Sequence, residues 1–131
     1  MVDSYAWVEL FLGSERGKTV KQILSDAEEV RTPDIVLAEI SRKYLREHVD
    51  EKTIKQRLME ISSASIITSI DIDVAMRAGE AYLELAGKAK HEMRRMPSLF
   101  DALVLATARE YDSKVVTGDE HFRGLPETLL I

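Results

Sequence analysis

The chain of 131 residues contains no cysteine. This absence excludes disulfide bonds, zinc sites built on thiolates and catalysis by a cysteine nucleophile. The sequence also has no apolar run long enough to cross a membrane, and its first residues lack the basic and apolar regions of a secretory signal. Because a protein without disulfides suits a reducing compartment, we expect it to be cytoplasmic.

Basic residues are fewer than acidic ones: the chain has 18 lysine and arginine residues and 23 aspartate and glutamate residues, and its net charge is -5. That balance disfavours a protein that coats nucleic acid by charge alone. It does not exclude an enzyme that concentrates acidic residues in a metal site. Hydrophobic residues make up 45% of the chain, and this composition and length predict a single folded domain over residues 1–131.

Short β-branched segments alternate along the chain with helical patterns. We expect strands at 1–2, 30–32, 65–70, 114–117 and 128–131, and helices at 18–29, 33–48, from 50 onward, 71–86 and 97–110. Residues 13–17 are predicted to form a loop, and residues 87–95 a basic break or helix extension. The alternation predicts an α/β domain with a parallel sheet covered by helices on both faces.

The segment Pro97–Ala108 is apolar except near its start, where Ser98 and Asp101 have the spacing of a capping box. A helix that is apolar nearly all round is buried, and an unpaired carboxylate there is costly. Asp101 could cap this helix or share a cation with other acids. For this residue alone, capping is the commoner role.

Three other acids lie where predicted strands end. Asp3 follows the first strand, Glu39 lies near the start of the helix after the second, and Asp119 follows the strand at 114–117. In parallel sheets these ends line the ligand crevice. Each acid also has a structural alternative: a helix cap for Asp3, an ion pair with Arg42 or Lys43 for Glu39, and a turn for Asp119.

Converging carboxylates repel one another unless some are protonated or a hard cation lies among them. Oxygen ligands favour Mg²⁺ or Mn²⁺ over zinc. A water bound to such an ion has a lowered pKa and can attack a phosphodiester. This chemistry requires no histidine, no cysteine and no glycine-rich loop.

Four segments together resemble the PIN domain, and most closely the VapC-type toxins of bacterial and archaeal toxin–antitoxin pairs. They are VDSYAW at 2–7, PDIVLAEI at 33–40, PSLFDALVLATA at 97–108 and VVTGDEHF at 115–122. The resemblance spans essentially the whole chain. It implies a three-layer α/β/α fold with a short parallel sheet and an endoribonuclease that depends on Mg²⁺ or Mn²⁺. It also implies a homodimer and a small antitoxin whose tail enters the acidic crevice.

The resemblance also implies roles for individual residues. The family's metal-binding acids fall on Asp3, Glu39, Asp101 and Asp119. Thr117, two residues before the last acid, would orient a water or a phosphate oxygen. Ser4 matches the small polar residue that follows the first acid, and we expect it to support substrate binding.

Other residues near these motifs are harder to assign. Arg94 and Arg95 precede the helix of Asp101 and could contact RNA phosphates, although a solvated helix end is an equal alternative. His121 is interpreted as a packing or capping residue. Only Met1 and Val2 precede Asp3, and at about 3.3 Å per residue they cannot cross a sheet. We therefore expect a reduced first strand or a native start upstream of Met1.

Two alternative functions remain open at this point. One is a housekeeping PIN nuclease in RNA processing, which would differ from a toxin in causing no growth arrest. The other is a catalytically silent acidic-pocket module for binding or signalling, such as a phospho-accepting receiver domain. A receiver carries adjacent acids after its first strand, whereas Asp3 is followed here by Ser4.

Overall fold

The computed structural model describes all 131 residues and contains six α-helices, four short strands and one 3₁₀ turn. The helices are α1 (Ser4–Leu12), α2 (Glu15–Asp26), α3 (Asp34–Arg46), α4 (Glu51–Ala64), α5 (Ile72–His91) and α6 (Leu99–Glu110). The strands are β1 (Arg31–Pro33), β2 (Ile66–Thr68), β3 (Val115–Thr117) and β4 (Thr128–Leu130), and the 3₁₀ turn is Glu120–Phe122. None of the helices combines the length and apolar character that crossing a membrane requires.

The strands form two parallel pairs, β1 with β2 and β3 with β4. The first residues of the chain lie between these pairs. The Val2 N–H donates to the Arg31 carbonyl at 2.9 Å, and the Val116 N–H donates to the Met1 carbonyl at 2.8 Å. The first strand is therefore reduced to the single parallel bridge of Val2 with Val116. The predicted α/β fold with a short parallel sheet is confirmed.

Helix α6 lies at the centre of the core. Its buried residues cover most of its circumference, as the apolar run predicts. The Ser98 hydroxyl accepts from the Asp101 N–H, and the Asp101 carboxylate accepts from the Ser98 N–H, so the predicted capping box is present. Trp7 of α1 is also buried, and its indole N–H donates to the Thr32 hydroxyl at 3.1 Å.

The structure corrects the prediction of a loop at 13–17. Helix α2 begins at Glu15, and the Ser14 side chain caps it by accepting from the Gly17 N–H. Gly17 is buried where α2 crosses α1, and a Cβ at this position would lie 2.1 Å from the Glu9 carbonyl oxygen. The glycine therefore permits close packing of two helices and does not form a turn.

Two other boundaries differ from the predicted ones. Helix α3 begins at Asp34 and has Pro33 as its N-cap, without a side-chain cap, whereas the sequence predicted a helix that starts at Pro33. The Thr32 hydroxyl bonds the Trp7 indole and the Ser65 hydroxyl. Helix α5 continues past Ala86 to His91, so the basic segment extends the helix. Cations in a last turn are favoured by the helix dipole.

Candidate active site

Asp3 is buried, with 6% of its surface exposed, directly after the Val2 bridge. One carboxylate oxygen accepts from the Ala6 N–H at 3.1 Å and caps α1, and the other accepts from the Thr117 hydroxyl. Burial raises the pKa of Asp3 to about 7, the charges of Glu39 and Asp119 add to this effect, and the two hydrogen bonds oppose it. Asp3 is therefore both a helix cap and a buried acid with a raised pKa.

Thr117 connects two of the acids. It is fully buried at the end of β3, where its hydroxyl donates to Asp3 and accepts from the Asp119 N–H at 3.0 Å. These two contacts fix the carboxylate of Asp3 relative to the turn that carries Asp119. The side chain therefore joins the first residues of the chain to the end of β3.

Glu39 lies in the second turn of α3. Burial raises its pKa, and the neighbouring charges of Asp101 and Asp119 raise it further, while the Ser4 hydroxyl and Arg42 lower it. The ion pair considered for Glu39 does not form. Lys43 instead pairs with Glu47 at 2.5 Å, and the guanidinium of Arg42 lies over the Phe100 ring.

Asp101 keeps its capping role while it faces the other acids. Its Oδ2 accepts from the Ser98 N–H at 2.6 Å. Burial raises the pKa of its carboxyl, and Asp119 raises it further. The same Oδ2 lies 4.0 Å from Nδ1 of His121. The two interpretations of this residue are therefore compatible, since one carboxylate can cap α6 and line a charged site.

Asp119 follows β3 and caps the 3₁₀ turn. Its Oδ1 accepts from the His121 N–H at 2.8 Å and also lies 2.8 Å from Nδ1 of the His121 ring. Asp101, Asp119 and His121 each offer one ligand atom, and these atoms lie within 4.8 Å of one another. The sequence interpretation placed His121 outside the site. Its position two residues after Asp119 was the one feature of the sequence that could have indicated that it lies in the site.

All four acids line one cavity of about 520 Å³, together with Ser4. Val8 and Leu12 of α1 add apolar surface, and Lys43 and Arg46 of α3 add positive charge. These two basic residues were not assigned to the site from the sequence, although they lie four and seven positions after Glu39 and hence on the same helical face. An adjoining cavity of about 360 Å³ shares Glu39, Asp101 and Asp119 and is also lined by His121.

The two adjacent arginines, Arg94 and Arg95, have different surroundings in the structure. Arg95 lines both cavities. Arg94 lines neither of them: its guanidinium pairs with Glu92 at 3.0 Å and Glu120 at 3.3 Å. Only Arg95 is therefore placed to meet a ligand of the acidic cavity.

The donor set fits a divalent cation. The pKa of three of the four carboxyls is raised by burial and by the charges of the other acids. A bound cation would offset that repulsion, and carboxylate oxygens suit Mg²⁺ and Mn²⁺. The fold and this cavity therefore define a small α/β protein with an acidic site of the kind that hydrolytic metalloenzymes use.

The sequence matches the PIN domain over residues 1–127, and the chain belongs to that family. Its fold is similar to a chain in a toxin–antitoxin complex from Klebsiella pneumoniae, with 24% identity, a TM-score of 0.67, and coverage of 98% of this chain and 93% of that chain. It is also similar to a chain of VapBC2 from Rickettsia felis bound to a DNA fragment from their promoter. That match has 17% identity, a TM-score of 0.73, and coverage of 100% and 96%. No curated protein matches the sequence.

Proposed function

We propose that this protein is a metal-dependent endoribonuclease of one domain that acts as the toxin of a type II toxin–antitoxin pair. The observation that carries the proposal is the convergence on one cavity of four acids, which come from the N-cap of α1, from α3, from α6 and from the turn after β3. Membership of the PIN domain family, which is a family of nucleases, supports the same activity.

In this proposal the cation is held by the carboxylates of Asp3, Glu39, Asp101 and Asp119. Mg²⁺ or Mn²⁺ would supply an activated water and neutralise charge on the phosphate oxygens of RNA. Thr117 holds the Asp3 carboxylate in place through its hydroxyl. Ser4, the first residue of α1, interacts through its side chain with Glu39. Hydrolysis of the O3′–P bond by water would leave a 5′-phosphate and a 3′-hydroxyl.

Basic side chains at the cavity would bind the RNA backbone. Arg95 lies between α5 and α6, and Lys43 and Arg46 lie on α3, so positive charge lines the acidic cavity from two elements. Phosphate contacts of this kind orient a strand without reading its sequence. We expect Arg95 to contribute more than Arg94, because Glu92 and Glu120 already pair with Arg94.

An antitoxin would occupy the same cavity. Both structural neighbours come from toxin–antitoxin assemblies. Here a basic side chain of a partner could pair with the acids, while apolar side chains contact Val8 and Leu12. Leu12 is 70% exposed, so covering it would add apolar burial to the charge pairing.

A homodimer is the other assembly we propose. One face of α5 exposes Ile72, Met76 and Leu83, which are 82%, 72% and 73% exposed and follow helical spacing. Asp71 caps the helix, whose N-terminal half carries Asp73 and Glu80 and whose C-terminal half carries Lys88 and Lys90. The opposite charges in the two halves, Arg77 and Glu84, are already paired with Glu110 and Arg109 of α6. An antiparallel contact between the α5 helices of two copies would bury the apolar face and align opposite charges.

The proposal is tested by RNA cleavage with Mg²⁺, with Mn²⁺ and with EDTA, using wild type, Asp101→Asn and Asp119→Asn. Asparagine at position 101 can still accept from the Ser98 N–H, so the variant removes charge and keeps the cap. Glu28→Gln, at an exposed acid between α2 and β1 that lines neither acidic cavity, is the control. We expect cleavage to require the metal and to be lost in both site variants only. Cleavage that persists in EDTA or in Asp101→Asn would contradict the proposal.

A second assay separates a toxin from a housekeeping nuclease. We expect induced expression of the wild type to arrest growth and expression of Asp101→Asn to be tolerated. Normal growth with fully active enzyme would favour the housekeeping role. Absence of cleavage with intact metal binding would instead favour the silent binding module.

A further inference from the structure

The ring of His121 has an oxygen acceptor at each nitrogen. Nε2 lies 2.6 Å from the Arg95 carbonyl oxygen, and Nδ1 lies 2.8 Å from Oδ1 of Asp119. A neutral imidazole carries only one N–H, and neither a carbonyl nor a carboxylate can donate. In a neutral ring that donates from Nε2, Nδ1 therefore has no hydrogen to share with Asp119, and a cation bound to both atoms would satisfy this contact.

The contact with Arg95 agrees with binding of a cation at Nδ1. A histidine that binds a metal commonly donates its other N–H to a backbone carbonyl, which fixes the tautomer and directs the free lone pair at the ion. In this chain the Arg95 carbonyl is that acceptor, so Nε2 carries the hydrogen and the lone pair of Nδ1 faces the acids. The side chain is 16% exposed, which limits competition from water.

The distances around Nδ1 agree with ligands of a single ion. Nδ1 lies 2.8 Å from the Asp119 carboxylate and 4.0 Å from the Asp101 carboxylate. Ligand atoms about 2.1 Å from an octahedral ion lie about 3.0 Å apart in adjacent positions and about 4.2 Å apart in opposite ones. Nδ1 of His121 thus lies from Asp119 and from Asp101 at distances that two ligands of one ion would have.

We propose that Nδ1 of His121 is a direct ligand of the divalent cation, beside Asp101 and Asp119. The inference rests on the metal site of the proposed function and extends it, because the four acids alone provide only oxygen donors. Imidazole nitrogen suits first-row transition ions, whereas Mg²⁺ prefers oxygen. The site therefore selects Mn²⁺ over Mg²⁺, and the loss of His121 reduces that selectivity.

The test is pulsed electron paramagnetic resonance on the full chain loaded with Mn²⁺, which detects a directly bound ¹⁴N nucleus. The chain has three histidines, and His48 and His91 are exposed outside both acidic cavities. We expect nitrogen coupling in wild type and in the control His91→Gln, and none in His121→Gln. Calorimetry should show that His121→Gln weakens Mn²⁺ binding about tenfold and Mg²⁺ binding much less.

A second variant guards against misfolding of His121→Gln. In the double variant His48→Gln with His91→Gln, His121 is the only histidine, so the nitrogen coupling must persist. If this double variant binds Mn²⁺ without nitrogen coupling, the inference is overturned and the carboxylate site of the proposed function is left intact. Failure of wild type to bind Mn²⁺ at all would overturn both.

Discussion

The carboxyl of Asp3 is expected to make the metal-free protein less stable as the pH rises. Its pKa is raised by burial from 3.8 to about 7. Between these values the folded chain retains a proton that the unfolded chain releases. The free energy of unfolding therefore decreases as the pH rises through this window. The difference between the two pKa values lowers the free energy of unfolding by about 4 kcal/mol above pH 7, since one pKa unit is about 1.4 kcal/mol.

The substitution Asp3→Asn isolates this contribution. Asparagine can still accept from the Ala6 N–H, and its amide can donate to the Thr117 hydroxyl, which reverses the direction of that hydrogen bond. The buried Thr117 O–H then loses its acceptor, and this loss offsets part of the expected gain in stability. Without metal, we expect the variant to be more stable than wild type by up to about 4 kcal/mol at pH 8 and nearly equal at pH 4. Glu39 and Asp101 remain in the variant, and their raised pKa values act in the same direction.

The measurement is urea unfolding in EDTA at pH 4, 6 and 8 for wild type, Asp3→Asn and the exposed control Glu28→Gln. The control should follow wild type at each pH. Saturating Mn²⁺ should stabilise wild type more than Asp3→Asn, because the cation binds the ionised carboxylate. A stability difference between wild type and Asp3→Asn that does not change with pH would refute the reasoning.

Three further predictions concern packing, RNA binding and assembly. Gly17→Ala should lower the free energy of unfolding by about 3 kcal/mol, because the added Cβ meets backbone of α1; urea unfolding measures this change. Arg95→Ala should weaken RNA binding and reduce by about 0.7 the magnitude of the slope of log K against log salt concentration, whereas Arg94→Ala should leave that slope unchanged. Fluorescence anisotropy in Ca²⁺ measures both. Leu83→Glu should sediment as a monomer at concentrations where wild type is dimeric, and a wild-type monomer would refute the α5 interface.

Local sequence signals were sufficient for most of the fold. Ser98 and Asp101 define the start of α6 because a capping box needs only residues three positions apart. Asp50 and Asp71 cap the helices predicted to begin beside them, for the same reason. The parallel sheet followed from the alternation of strands and helices, although each strand has only three residues.

The grouping of three of the four acids could also be predicted, because the carboxyl ends of parallel strands meet at one edge of a sheet. Asp3 and Asp119 lie at such ends, and Glu39 lies near the start of the helix that follows another. Asp101 follows no strand, and its place in the cavity rested on the family resemblance. The structure shows that a cap and a charged cavity share its carboxylate.

Other features depended on contacts between distant segments. Gly17 has the composition of a turn, and only its approach to Glu9 of α1 shows that it is a packing residue. Arg94 and Arg95 are equivalent in sequence, and the acids near each of them decide which one reaches the cavity. His121 acquires its significance from the Arg95 carbonyl, 26 positions earlier. The sequence alone thus determined the elements and the order of the acids, because these depend on short-range spacing. Tertiary structure decided the partner of each side chain, because hydrogen bonds and close packing depend on distances that spacing along the chain does not specify.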